Sequence, residues 1–126
     1  MSEKTIAEKL LLKPGRSLLI LNAPAGYLES LGPLPDFAKI VPITEPADVV
    51  QLFIYSFARL EIELPKTKPY VNAATIFWVC YPKQSGTIKT DINRDVLYVY
   101  AESKNWKGIG MFSVNNDWSA MRFKPQ

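Results

Sequence analysis

Lys13-Pro14-Gly15-Arg16-Ser17-Leu18-Leu19-Ile20-Leu21-Asn22-Ala23-Pro24-Ala25-Gly26-Tyr27 is the stretch that decides the fold. Pro14-Gly15 is a turn and stops whatever helix precedes it. Leu18–Leu21 is a continuous apolar run closed by turn residues, the mark of a strand buried on both faces in a parallel sheet. Asn22–Gly26 then reads as a loop, and a brief helical turn over Tyr27–Leu31 ends at Gly32-Pro33.

Outward from this strand the same alternation repeats. Residues 2–12 predict a short helix, with Thr5 and Glu8 at capping-box spacing and Ile6, Leu10 and Ala7, Leu11 as i,i+4 pairs. Pro33, Pro35, Pro42 and Pro46 crowd residues 32–46 and leave room for at most a short strand, Ala38–Val41. Asp48–Ile54 is a second buried strand. Ser56 caps a helix through Leu64, with Arg59 and Glu63 spaced for an ion pair. Ala74–Tyr81 is a third buried strand. Pro82–Thr90 is a polar loop, and Thr90 is placed to cap an amphipathic helix over Asp91–Ser103. Lys107–Val114 and Trp118–Phe123 form a hairpin across Asn115-Asn116-Asp117. The expectation is a single α/β domain over residues 1–126: a Rossmann-like, mostly parallel sheet flanked by helices, closed by a C-terminal antiparallel hairpin.

Composition bounds the chemistry. The chain has 126 residues, 48% hydrophobic and 21% charged, which suits an ordinary globular domain. There is no histidine, which removes His-based acid–base catalysis, Ser-His-Asp triads and His metal ligands. The single Cys80 has no internal disulfide partner and lies in an apolar run, as a buried inert thiol would. A net charge of +3 is spread from Lys4 to Lys124 rather than gathered in a stripe, which argues against nucleic acid as partner. No apolar run reaches the length of a membrane span and the N-terminus carries charges, so a cytoplasmic location is expected.

Five segments carry a resemblance: Lys13-Pro14-Gly15 with the strand and loop after it; Glu45-Pro46-Ala47-Asp48-Val49-Val50; Tyr81-Pro82-Lys83-Gln84-Ser85-Gly86; Thr90-Asp91; and Asp117-Trp118-Ser119-Ala120-Met121-Arg122-Phe123. From about Leu10 to Phe123 the chain resembles a family of small bacterial proteins catalogued as a domain of unknown function, the Asp-Trp-Ser-Ala-x-Arg-Phe ending being the most specific part. More distantly, the order of elements is similar to class I S-adenosylmethionine methyltransferases, which implies a reduced methyltransferase-like fold. Those enzymes carry several glycines after their first strand, where only Gly26 stands here beside Pro24, and an acidic residue is expected where Asn22 stands. The cofactor's glycine fingerprint is therefore missing. Glu45 sits where a ribose-binding carboxylate would be sought, and also reads as a plain loop glutamate.

In open α/β sheets ligands sit beyond the carboxyl ends of the strands. That rule makes Asn22, Gly26, Tyr27, Tyr55 and Tyr81 candidates, the tyrosines either stacking on a flat ligand or packing at the core edge. Lys83, Ser85, Gly86 and Lys89 precede a helix, with Arg94 one turn inside, and could hold an anion; solvated lysines and an ordinary cap explain the same residues. Asp117 is placed to accept from turn amides, and Trp118 and Arg122 share a strand face. Glu61 and Glu63 read as solvated. No catalytic residue and no metal ligand set stands out. The reading is a non-catalytic domain binding a small anionic or nucleotide-like ligand, or a protein partner. The alternatives are a small S-adenosylmethionine-dependent methyltransferase with an altered loop, and a homo-oligomer joined through Trp106, Met111, Phe112 and Trp118.

Overall fold

The computed structural model describes residues 5–43 and 45–126. Its strands are β1 (Ser17–Leu21), β2 (Lys39–Ile40), β3 (Val49–Phe53), β4 (Ile76–Pro82), β5 (Trp106–Ser113) and β6 (Trp118–Pro125). Its helices are α1 (Ile6–Lys9), α2 (Tyr27–Ser30), α3 (Phe57–Lys66) and α4 (Arg94–Ser103). The strands form one sheet in the order β2-β1-β3-β4-β6-β5, with β2, β1, β3 and β4 parallel and β6 antiparallel to both of its neighbours. The expected mostly parallel sheet and closing hairpin are both present.

Strand alternation divides the core. Leu19, Val50, Leu52, Phe77, Val79, Met121 and Phe123 face α3 and α4. Leu18, Val49, Phe53, Trp78, Cys80, Trp118 and Ala120 face α1 and α2. β3 and β4 are buried on both faces, as apolar runs in a parallel sheet must be.

Several boundaries move for identifiable reasons. The capping box of Thr5 and Glu8 forms, but α1 is one turn long and closes at Leu10; the part of the expected helix at residues 2–4 lies outside the described residues. Ser56 caps α3 through the Arg59 amide, and the helix runs past Leu64 with Pro65 in its last turn. Thr90 is not the cap of α4. Asn93 is, its Oδ1 accepting from the Val96 amide at 2.9 Å. Thr90 instead donates to the Tyr55 carbonyl at 2.7 Å, and Asp91 accepts from the Phe57 amide at 2.9 Å, so both residues anchor the start of α3. Arg94 is accordingly the first residue of its helix rather than one turn inside it.

β2 pairs only with the amino-terminal end of β1, through Ser17–Lys39 and Leu18–Ile40. The link from β2 to β3 contains no helix among the described residues. Beyond Leu19, β1 has less cover on the α3 side, Leu21 being only half-buried, and this is where space opens.

Candidate functional site

The strand order reverses between β1 and β3, so the crevice to inspect lies at the carboxyl ends of these two strands. On the α1/α2 side it is filled. Gly26, at φ +80°, turns the chain into α2, and Tyr27 at the helix start drops its ring against Phe53, centroids 4.6 Å apart. Phe53 meets Trp118 at 5.0 Å and Trp118 meets Tyr55 at 5.1 Å, all edge to face. This row joins two of the three strand-end tyrosines. Tyr27 is buried, and only Tyr55, 43% exposed, reaches solvent. A Cβ built on Gly26 would meet no atom within 4 Å, so the glycine serves its left-handed backbone rather than a close approach.

Beneath the row, Gln51 is completely buried. Its Nε2 donates to the Tyr27 hydroxyl at 2.6 Å and to Cys80 Sγ at 3.2 Å, while its Oε1 has no partner among the described residues. Burial pushes the Tyr27 phenol well above its usual range and the Cys80 thiol up to about 12. Cys80 is the buried inert thiol expected.

Tyr81 belongs to the opposite face. It is buried beside Ser119, and burial raises its pKa while nearby Arg94 opposes the rise. The loop after β4 is tied to the hairpin turn. The Lys83 ammonium donates to Ser113 Oγ. The Asp117 carboxylate accepts from the Thr87 amide at 2.8 Å and its hydroxyl at 2.9 Å. A Cβ on Gly86 would lie 2.9 Å from Asp117 Cα, so Gly86 is what lets the two segments touch. The hydrogen bonds from Thr87 hold Asp117 below the usual carboxylate range, with Lys83 acting in the same direction. The protein's own carboxylate takes the amide that an external anion would need. Ser85 and Lys89 are exposed, and Arg94 contacts Asp95 at 3.5 Å.

Space opens on the α3 side. A cavity of about 400 Å³ is bounded by Leu21 and Asn22 at the end of β1, Ile43, Glu63, Lys66 and Thr67 of α3 and its cap, and Tyr70. Ile43 and Tyr70 also line a second cavity of about 270 Å³ that runs toward Glu45, Asn72 and Thr75. Of the strand-end candidates, only Asn22 borders this space, its left-handed φ of +60° being one that asparagine tolerates. Glu63, read from sequence as solvated, has a side chain only 15% exposed and is held by Arg59 at 2.8 Å and Lys66 at 4.0 Å. Tyr70 follows α3 in a short 3-10 turn that no sequence pattern marks. Glu45 lies between β2 and β3 and lines the second cavity with Asn72 and Thr75, beside the amino ends of β3 and β4.

Trp106 and Trp118, expected on an exposed hairpin face, are buried at 1% and 3%. Trp106 packs on Phe77 and beneath the Lys68 ammonium. Among the described residues no group of acidic residues and cysteine could hold a metal, and no helix is long and apolar enough to cross a membrane.

The architecture has solved counterparts. A Streptococcus agalactiae protein of the NADB-Rossmann superfamily aligns over 99% of this chain and 69% of its own, at 11% identity and TM-score 0.55. The fold is Rossmann-like, of the methyltransferase type. The Methanococcus jannaschii fibrillarin pre-rRNA processing protein aligns over 90% of this chain and 68% of its own, at 15% identity and TM-score 0.59. DhpI, solved in complex with SAH, aligns over 95% and 82%, at 12% identity and TM-score 0.61. No family model and no curated protein sequence matches the chain.

Proposed function

We propose that this chain is a non-catalytic binding domain of methyltransferase-type fold. Its ligand is small and nucleotide-like, with a planar part and an anionic group, and docks at the carboxyl end of β1 on the α3 side. The observation that carries this reading is the division of the carboxyl-end region. The α1/α2 side is filled by the domain's own rings, whereas about 400 Å³ beside Asn22, Lys66 and Tyr70 is open. Tyr70 offers a ring for stacking and Lys66 an ammonium for an anion. Glu63 repels that anion less than a free carboxylate would, because Arg59 and Lys66 partly neutralise it.

S-adenosylmethionine, bound by the class that the fold resembles, does not suit these residues. A single glycine follows β1, α2 is one turn long, and Tyr27 fills the crevice next to Phe53. No methyl-transfer step is derived for that reason. The likeness to a protein solved with SAH is the observation that keeps adenosyl compounds in the test.

The test is thermal unfolding and calorimetry with adenine nucleotides, S-adenosylmethionine, S-adenosylhomocysteine and inorganic phosphate. A ligand at ~100 times its Kd adds about 2.7 kcal/mol, a shift of several degrees for a domain of this size. A nucleotide shift is expected, lost in Lys66→Glu and in Tyr70→Ala and kept in Lys83→Ala/Lys89→Ala. A shift that survives Lys66→Glu but not the Lys83/Lys89 change would move the site to the loop after β4. A shift with the adenosyl compounds alone, accompanied by methyl transfer, would overturn the non-catalytic reading, and silence across the panel would overturn the ligand.

A further inference from the structure

One end of the sheet is walled by α4 lying on the edge strand β5. Close approach is possible because β5 carries Gly108, where a Cβ would stand 2.9 Å from the Tyr98 ring. The wall carries exposed apolar side chains: Tyr98 is 40% exposed and Met111 49%. Between helix and strand runs a groove of about 300 Å³, with Gly108, Gly110, Met111 and Met121 on its floor and Arg94, Asp95 and Tyr98 on its rim. β5 is an edge strand of eight residues, and an edge of this kind needs cover. The irregularity between Gly108 and Gly110 interrupts the β5–β6 register, and a bulge of this kind twists an edge strand away from flat strand-to-strand pairing, which favours contact through side chains.

The charges on α4 point to what covers it. Arg94 lies four residues before Tyr98 and Glu102 four residues after, each about 6 Å along the helix axis from Tyr98. Arg94 is on the groove rim, and Glu102 lies beside the Tyr98 hydroxyl. A twofold axis at Tyr98 would set α4 antiparallel to a second α4. That brings Arg94 level with the partner subunit's Glu102, twice, with the Tyr98 rings between the two pairs. Helices packed in this way lie 8–10 Å apart, within reach of an arginine and a glutamate. The surface is thus complementary to itself in the placing of Arg94 and Glu102, as an isologous interface must be, and the partner's Glu102 would compete with Asp95, 3.5 Å from Arg94 within the chain.

We propose that the α4–β5 wall is the interface of a homodimer, the partner being a second copy of this chain docked antiparallel across Tyr98. The proposal is independent of the ligand cleft, which lies at β1, separated from this wall by β3, β4 and β6, and can fail without affecting it.

Sedimentation equilibrium of the full chain, from about 1 to about 100 µM, tests it. Wild type is expected to reach twice the 14.2 kDa of one chain with a Kd in the micromolar range. Arg94→Glu and Glu102→Arg should each weaken association about tenfold or more, while the double exchange recovers it. Both side chains are on the surface, so circular dichroism should show all three variants folded. Met111→Lys should also yield monomer. A wild-type chain that stays monomeric at about 100 µM overturns the proposal. So does a dimer indifferent to Met111→Lys, or a double exchange that fails to recover what the single exchanges lose.

Discussion

The two sides of the sheet at the end of β1 are built from alternate residues of the same strands, yet one is packed solid and the other is open. On the α1/α2 side, Phe53 projects from β3 between Tyr27 and Trp118, and each ring finds the edge of the next. On the α3 side, β1 presents Leu19 and Leu21, and no helix of the β2–β3 connection crosses them among the described residues. Period-two alternation sends apolar side chains to both faces alike. What differs is the partner element: one turn of helix with a tyrosine at its head on one side, a bare connection on the other. A crevice in this fold is therefore decided by the loops and helices that overlie the strands rather than by the strands themselves.

Removing the central ring should break this contrast most severely. Phe53→Ala is expected to cost about 3–5 kcal/mol, since its neighbours on both sides lose their packing. Tyr70→Ala, half-buried on the rim of the open cleft and packed on the core from one side, should cost less, about 1–2 kcal/mol. Urea unfolding of the two variants is the direct comparison, and equal losses would mean that the open side is as tightly packed as the filled one.

Alkaline pH should act most strongly on the packed side. Cys80 is buried with its pKa raised from 9.0 to about 12, and Tyr27 is raised as well. A group whose folded pKa is raised lends stability below its unfolded pKa and loses it as pH climbs toward the folded value. Stability should therefore fall from about pH 9 upward, by about 1.4 kcal/mol per pH unit for one such thiol. Cys80→Ala should show a shallower slope in unfolding between about pH 9 and about pH 11, the range above the thiol's unfolded pKa and below its folded one. An unchanged slope would assign the alkaline loss to other groups.

Gln51 sharpens the contrast with a smaller effect. Gln51→Leu removes a buried oxygen without a partner but strands the Tyr27 hydroxyl, for a net cost of about 1–2 kcal/mol. Tyr27→Phe strands the amide in turn. The double variant should lose about 1 kcal/mol less than the sum of the single losses, the signature of one shared hydrogen bond. Strict additivity in a double-mutant cycle would show that the 2.6 Å contact contributes nothing.

Much of this fold was legible from the chain alone. Buried strands declare themselves as apolar runs between turn residues, as Leu18–Leu21 and Ile76–Tyr81 do, and the Asn-Asn-Asp turn marks the hairpin. Helix starts were harder. Thr90 and Asn93 are both good caps, and only tertiary pairing, Thr90 with the Tyr55 carbonyl, decides for Asn93. The location of the site was less legible still. Tyr27 and Tyr81 stand at strand ends as expected, but which face each ring takes and what it fills depends on residues far away in sequence. Glu63, Lys66 and Tyr70 come together only because α3 ends beside an uncovered β1, and no local pattern encodes that neighbour's absence.

The rim of the packed side offers the last and smallest test. Asp117 binds the Thr87 amide and hydroxyl, and its carboxyl is held below its ordinary value of 3.8. A group with a depressed folded pKa lends stability above its unfolded pKa, and that contribution fades as pH falls through the folded value. Wild type should therefore lose stability as acid protonates Asp117, and Asp117→Asn should be less sensitive over the same acid range. Because Asp117 is only half-buried, the difference is small and should shrink further in salt. Gly86→Ala attacks the same junction sterically, through a Cβ set 2.9 Å from Asp117 Cα, and should lower the unfolding midpoint at every pH. If Asp117→Asn follows the wild-type acid curve while Gly86→Ala is destabilised, the loop is held by shape rather than by charge, and the carboxylate is no longer what keeps an external anion out.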